Sequence, residues 1–158
     1  MKILIQRVTR AGVTAAEQGH AAIGPGLLAL VGVTHEDSEA TARHLAHRTL
    51  ALRIFRDAQG QMNRSVVDTG GEILVISQFT LYADTRKGNR PSFVRAAPPE
   101  LARCRYETYV AALREALGTD RVRTGWFGAH MEVELINDGP VTVELERGQK
   151  NTKCNFLS

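Results

Sequence analysis

Residues Glu72-Ile73-Leu74-Val75-Ile76 form a strand-favouring run that ends in no turn and passes straight into Ser77, Gln78 and Thr80. Apolar and β-branched residues in such a run belong in a buried strand. Hydroxyls and a carboxamide at the end of a buried strand must find hydrogen-bond partners there or face a substrate. The chain must therefore fold around a central strand, expected over 72–81, that delivers polar groups to one end of the core. Gly70-Gly71 breaks the chain just before it.

Most of the remaining sequence also reads as strands. Ile3 to Val8 is one, and Gly12 to Ala16 is another that pairs with Ala21 to Ile23 across the polar turn Glu17-Gln18-Gly19-His20. Gly24-Pro25-Gly26 precedes a buried strand over Leu27 to Thr34. Ser38 caps a helix reaching about Leu50, with Ala42, Leu45, Ala46, Thr49 and Leu50 on its inner stripe. Leu52 to Phe55 reads as a short strand, and Asp57-Ala58-Gln59-Gly60 as a turn. A loop over 84–97 leads to a second helix. Pro98-Pro99-Glu100 starts it, Leu101, Tyr106, Tyr109, Val110, Leu113 and Leu117 form its buried face, and Gly118 ends it. Met131 to Ile136 and Val141 to Glu146 are strands flanking Gly139-Pro140. The expected class is α+β, a curved, barrel-like sheet with two main helices packed outside. Residues 1–146 are expected to form one domain, and 147–158 a polar C-terminal tail.

Composition narrows the function classes. With 158 residues, 43% hydrophobic and 23% charged, the chain is an ordinary globule able to bury a substantial core. No apolar run reaches membrane-spanning length, and the first apolar run is too short for a signal peptide, so a cytoplasmic protein is expected. Cys104 and Cys154 have no metal or redox spacing. Net charge is only +3, yet Arg86, Lys87, Arg90 and Arg95 gather in one loop against Asp84 alone. That patch suits a phosphate-bearing partner, although a solvated loop has the same composition.

The usual catalytic signatures are missing: there is no G-x-S-x-G, no H-E-x-x-H and no P-loop. His44 and His47 lie three apart on a helix but lack a further ligand, and His20, His35 and His130 read as structural or solvated. Thr80 is a weak nucleophile without a positioned base, and none is suggested by the sequence, so it reads better as a positioning or backbone-satisfying group. Backbone N–H groups around Ser77-Gln78-Phe79-Thr80 could instead form an oxyanion pocket, each donor lowering a barrier by about 3 kcal/mol. At Gly139-Pro140 a main chain can approach a ligand closely, although such residues also make ordinary turns.

The motif S-Q-x-x-L at Ser77, Gln78 and Leu81, together with N-x-G-P-V-T from Asn137 to Thr142, resembles the D-aminoacyl-tRNA deacylase family. Met1 to Arg10, Gly24 to Gly32, Arg53 to Phe55, Met62-Asn63, Arg90-Pro91-Ser92-Phe93 and Gly125 to Met131 extend the likeness over about residues 1–145. The resemblance implies hydrolysis of the ester between a D-amino acid, or mischarged glycine, and the tRNA 3′ end, without a cofactor. It implies that Ser77, Gln78, Phe79 and Thr80 position the ester and its oxyanion, and that the 2′-hydroxyl of the terminal adenosine assists attack. It further implies a homodimer in which a cis Gly139-Pro140 bond enters the partner subunit's site and excludes L side chains. The match G-x-F-G-A-x-M places Phe127 and Met131 by the terminal adenosine, with core packing as their alternative role. Arg90 could shape the site loop or meet a phosphate. Trp126 and His130 fall at variable positions of that motif. Two other classes stay open: a non-catalytic RNA-binding module using residues 86–95, and a metal hydrolase using His44 and His47.

Overall fold

Strand β1 (Lys2–Ala15) is continuous where two strands were expected. Its apolar phase changes midway. Ile3 and Ile5 enter one core cluster, whereas Val8, Ala11 and Val13 enter another. Register shifts between Gln6 and Val8, and between Val8 and Arg10, carry the strand through this change without ending it. Bulges of this kind move side chains to the opposite face and bend the strand. Strands β2 (Gly19–Ile23) and β3 (Gly26–Gly32) follow, both antiparallel to β1.

Helix α1 (Glu39–Ala51) starts at Ser38, whose Oγ accepts from Thr41 N at 3.1 Å. Its buried residues are the five of the expected stripe. The expected strand at 52–55 is displaced to β4 (Phe55–Arg56), which pairs with β5 (Met62–Arg64) in a separate small ribbon. The one-turn helix α2 (Val66–Thr69) carries a capping box between Ser65 and Asp68. Strand β6 (Glu72–Ser77) then runs parallel to β3. It stops at Ser77, four residues short of the expected end, and gives way to a 3₁₀ turn over Phe79–Tyr82.

Helix α3 (Pro99–Leu117) buries every expected residue except Leu101, which is half-buried, and adds Ala112. A short strand β7 (Val122–Thr124) joins β6 in parallel, and β8 (Glu132–Glu146) returns along β1. The main sheet has the order β2-β1-β3-β6-β7, with β8 on the other edge of β1. The α+β class and the curved, barrel-like sheet with helices outside agree with expectation.

Alternation along the central strands explains their unbroken apolar sequence. Leu27, Ala29, Val31, Ile73 and Val75 face α1 and α3, while Leu28, Leu74 and Ile76 join the cluster on the opposite face. Tyr109 is fully buried against α1, where its hydroxyl lies 2.8 Å from Thr49 Oγ1. The structure, a computed structural model, describes residues 1–148, so most of the expected tail, with Cys154, lies outside the described residues.

Candidate active site

The polar end of β6 is built by one backbone hydrogen bond and one small residue. Gln78 N donates to Val31 O at 2.7 Å, which extends the β3–β6 pairing by one link and then releases the chain into the 3₁₀ turn. Gly32 makes room for that turn: a Cβ there would lie 3.0 Å from Leu81 Cβ, 3.2 Å from Gln78 O and 3.3 Å from Tyr82 Cδ2. The Gln78 amide is thus already used. Phe79 and Thr80 open the turn, where no carbonyl within it can accept from their N–H groups. Gln78 Nε2 donates to Thr80 Oγ1, which ties the two expected site side chains together.

A cavity of about 410 Å³ opens at this corner. Ser77, Gln78 and Phe79 line one side, Phe93 and Ala97 come from the loop before α3, and Tyr106 and Phe127 close the far side. Phe79, though more than half exposed, packs edge-on against Phe93 with ring centroids 4.9 Å apart. Among the described residues, the walls contain no carboxylate, imidazole, amine or thiol. Their one titratable group, the Tyr106 phenol, donates to Val75 O at 2.9 Å, and burial pushes its pKa upward. The corner can therefore offer main-chain donors, an apolar wall and hydroxyls, but no proton acceptor with a pKa near neutrality.

Asn137 to Thr142 form a loop at the bend of β8. It bulges opposite Arg7, between the Gln6↔Thr142 and Val8↔Asn137 pairs. Asn137 clamps it, accepting from Val141 N at 2.7 Å and donating from Nδ2 to Val141 O at 3.2 Å and Thr142 Oγ1 at 3.1 Å. Those bonds give physical reasons for the asparagine and threonine of the motif. Gly139 and Pro140 are exposed at the tip, joined by a cis peptide. Gly139 has φ +143°, and a Cβ there would lie 2.7 Å from Val141 Cγ2 and 2.9 Å from Val141 N. Beneath the loop lies Arg7, 2% exposed, whose Nε donates to Asp138 O at 2.9 Å and whose Nη1 donates to Ile54 O.

Within one chain the loop and the corner are separate. Arg7 pairs with Leu27 of β3, whereas Ser77 pairs with Val31. Four residues of strand rise place them roughly 13 Å apart along the sheet, and the intervening strands add about 10 Å across it.

The other expected residues divide. Phe127 lines the cavity. Met131 is half-buried and packs against the cluster of Val8, Val13 and Ile76, with Sδ 3.4 Å from Trp126 N. Arg90 is exposed in the loop between Asp84 and Ser92, whose backbones pair at 2.8 and 2.9 Å. Arg86 forks onto Asp84, with Nε to Oδ1 at 2.9 Å, and this holds the Asp84 carboxyl well below the usual carboxylate range. The basic patch is thereby reduced by one free charge. Among the described residues no group of three or more His, Cys, Asp or Glu is placed to hold a metal. Arg7 and Gly32 were not singled out from the sequence. Their partners lie on other strands, and only a glycine and an arginine inside apolar runs hinted at them.

The family model for D-Tyr-tRNA(Tyr) deacylase matches residues 4–146. A D-aminoacyl-tRNA deacylase of Thermomicrobium roseum is 56% identical over 94% of this chain and 96% of its own. One from Heliobacterium modesticaldum is 58% identical over 92% of this chain and 96% of its own. Among solved structures, the c-Myc DNA Unwinding Element Binding Protein superposes with a TM-score of 0.88 at 42% identity, covering 94% of this chain and 99% of that one. A probable eukaryotic D-amino acid tRNA deacylase shares the fold with a TM-score of 0.80 at 16% identity, covering 91% and 97%.

Proposed function

We infer the reaction from one premise: the chain belongs to the D-Tyr-tRNA(Tyr) deacylase family. It is a hydrolase of aminoacyl-tRNA that cleaves the ester between a D-amino acid, or mischarged glycine, and the tRNA 3′ end, and it leaves L-aminoacyl-tRNA intact. The observation that carries this reading is a cavity sized for a nucleoside, lined by Ser77, Gln78 and Phe79 at the end of β6, with no acid or base but the Tyr106 phenol among the described residues of its wall.

Water adds to the ester carbonyl, and the oxyanion forms against the N–H groups of Phe79 and Thr80. The carbonyl re-forms as the bond to the 3′ oxygen breaks, and that oxygen leaves with a proton relayed by the neighbouring 2′-hydroxyl. Two preorganised donors supply on the order of 5 kcal/mol, several thousandfold in rate. An aminoacyl ester is activated enough for that to serve. Gln78, through Thr80, fixes the turn that carries the donors. Ser77 positions the ester, and Phe127 packs on the adenine.

Handedness is read by main-chain atoms at Gly139-Pro140. Because one chain holds its own loop away from its own corner, the loop serves the site of a second copy, and the working unit is a homodimer. Its exposed tip, clamped by Asn137 and anchored on Arg7, suits such insertion. Met131 acts through the Gly125–Trp126 turn, and Arg90 and Lys87 face the acceptor strand's phosphates. Among the described residues no helix is long and apolar enough to cross a membrane, and the cytoplasm, where translation supplies the substrate, is the proposed location. Purified protein mixed with D-Tyr-tRNA and L-Tyr-tRNA should release only the D-amino acid. Equal rates on both, or none on either, would overturn the reading.

A further inference from the structure

A second cavity, about 940 Å³, adjoins the first and shares Tyr106, Phe127 and Gly128 with it. One terminal nucleoside fits the smaller space, and nothing in the proposed reaction uses the larger one. A polynucleotide whose last nucleoside sits against Phe127 must leave along a neighbouring opening, and this cleft is continuous with that wall.

Its lining fits such an occupant. Trp126 lines the cleft and is half-buried, with part of its side chain packed against the cluster of Val8, Val13 and Ile76, and aromatic faces stack bases with little regard to sequence. The Arg103 guanidinium lies 5.0 Å over the Phe127 ring, at the boundary between the cavities, where the phosphate linking two nucleosides would pass. A stacked guanidinium keeps its in-plane N–H groups free to donate. Arg114 spends Nη2 on Val122 O at 3.3 Å, but its buried Nε has no hydrogen-bond partner among the described residues. Two carboxylates also line the cleft. Glu115 is paired with Arg43 at 3.4 Å, which leaves Glu107 to oppose the arginines. Charge alone therefore supplies little attraction, and stacking on Trp126 carries the recognition.

We propose that this cleft holds the nucleotide preceding the terminal adenosine, with its base on Trp126 and its 3′ phosphate at Arg103. The inference rests on the deacylase reading above and adds an acceptor-strand subsite to it.

The test compares D-Tyr-tRNA with 3′-O-D-tyrosyl-adenosine, which has no preceding nucleotide. In Trp126→Ala the ratio of kcat/KM on the tRNA to that on the adenosine ester should fall about tenfold, mainly through KM, while Trp126→Phe keeps most of it. Trp126 is the single tryptophan, so its fluorescence gives an independent signal. The trinucleotide cytidylyl-cytidylyl-adenosine should quench it, and adenosine alone should do so far less. An unchanged ratio, equal losses on both substrates, or equal quenching by the two ligands would overturn the subsite. Failure of the unaltered protein to hydrolyse either ester would instead overturn the deacylase reading, and the subsite with it.

Discussion

Arg7 shows how one residue can hold a loop it does not belong to. Its buried guanidinium ties Ile54 O to Asp138 O and so fixes the loop that presents Gly139. Those acceptors lie 47 and 131 residues away in sequence, which is why a single arginine in an apolar strand could not be assigned a role from sequence. Removing it in Arg7→Ala leaves two carbonyls short of a donor and should destabilise the protein by about 2–3 kcal/mol in urea unfolding. Gly139→Ala acts at the tip itself. The new Cβ meets Val141 within contact distance at a φ that L side chains rarely adopt, so turnover of D-Tyr-tRNA should drop at least about tenfold with the fold intact. Full activity in that variant would remove Gly139 from the site. In the core, Thr49 Oγ1 already donates to Leu45 O at 2.9 Å, so Tyr109 donates to Thr49. Tyr109→Phe should then cost about 1 kcal/mol and leave activity unchanged.

At the scale of elements, the decisive event is the switch from β6 to a 3₁₀ turn at Ser77. The sequence placed polar groups there correctly, but the strand's end was not legible. Phe79, Leu81 and Tyr82 are as strand-favouring as the residues before them. What ends the strand is tertiary, the fit of Leu81 and Tyr82 over Gly32 of β3. Gly32→Val should push the turn outward and reduce kcat far more than it reduces folded content, as measured by turnover beside circular dichroism. The loop before α3 depends on charge. The Asp84 pKa is depressed by Arg86, so the pair's contribution is fully present above the unfolded carboxyl value of about 3.9 and is lost as pH falls through the lower folded value. Amide protection factors over residues 84–92 should be highest at neutral pH and fall only well below pH ~4, and Asp84→Asn should lower them at every pH. The cap and buried stripe of helix α1 were readable to the residue because a 3.6-residue stripe is local information. Strand β7, only Val122–Thr124, was not, because its parallel pairing with β6 spans the whole of α3.

At the scale of the whole molecule, the two motifs that carried the family likeness lie at separate places on one chain, a distance no sequence pattern could reveal. The proposed reconciliation is a second copy. The protein should sediment at roughly twice the 17.3 kDa of one chain. A sharper consequence concerns mixed subunits. Gly139→Ala spoils the loop and spares the corner, whereas Gly32→Val spoils the corner and spares the loop. Co-folding the two should rebuild one sound site per mixed dimer and restore activity that neither variant has alone. No recovery on mixing would mean that each chain serves its own site. The central claim is that main-chain atoms sense handedness and side chains do not. The most direct measurement is the ratio of kcat/KM for D-Tyr-tRNA to that for L-Tyr-tRNA in the double variant Ser77→Ala, Thr80→Ala. Turnover should weaken while the preference for the D ester persists. Appearance of L-Tyr-tRNA hydrolysis at a rate matching the D ester would contradict it.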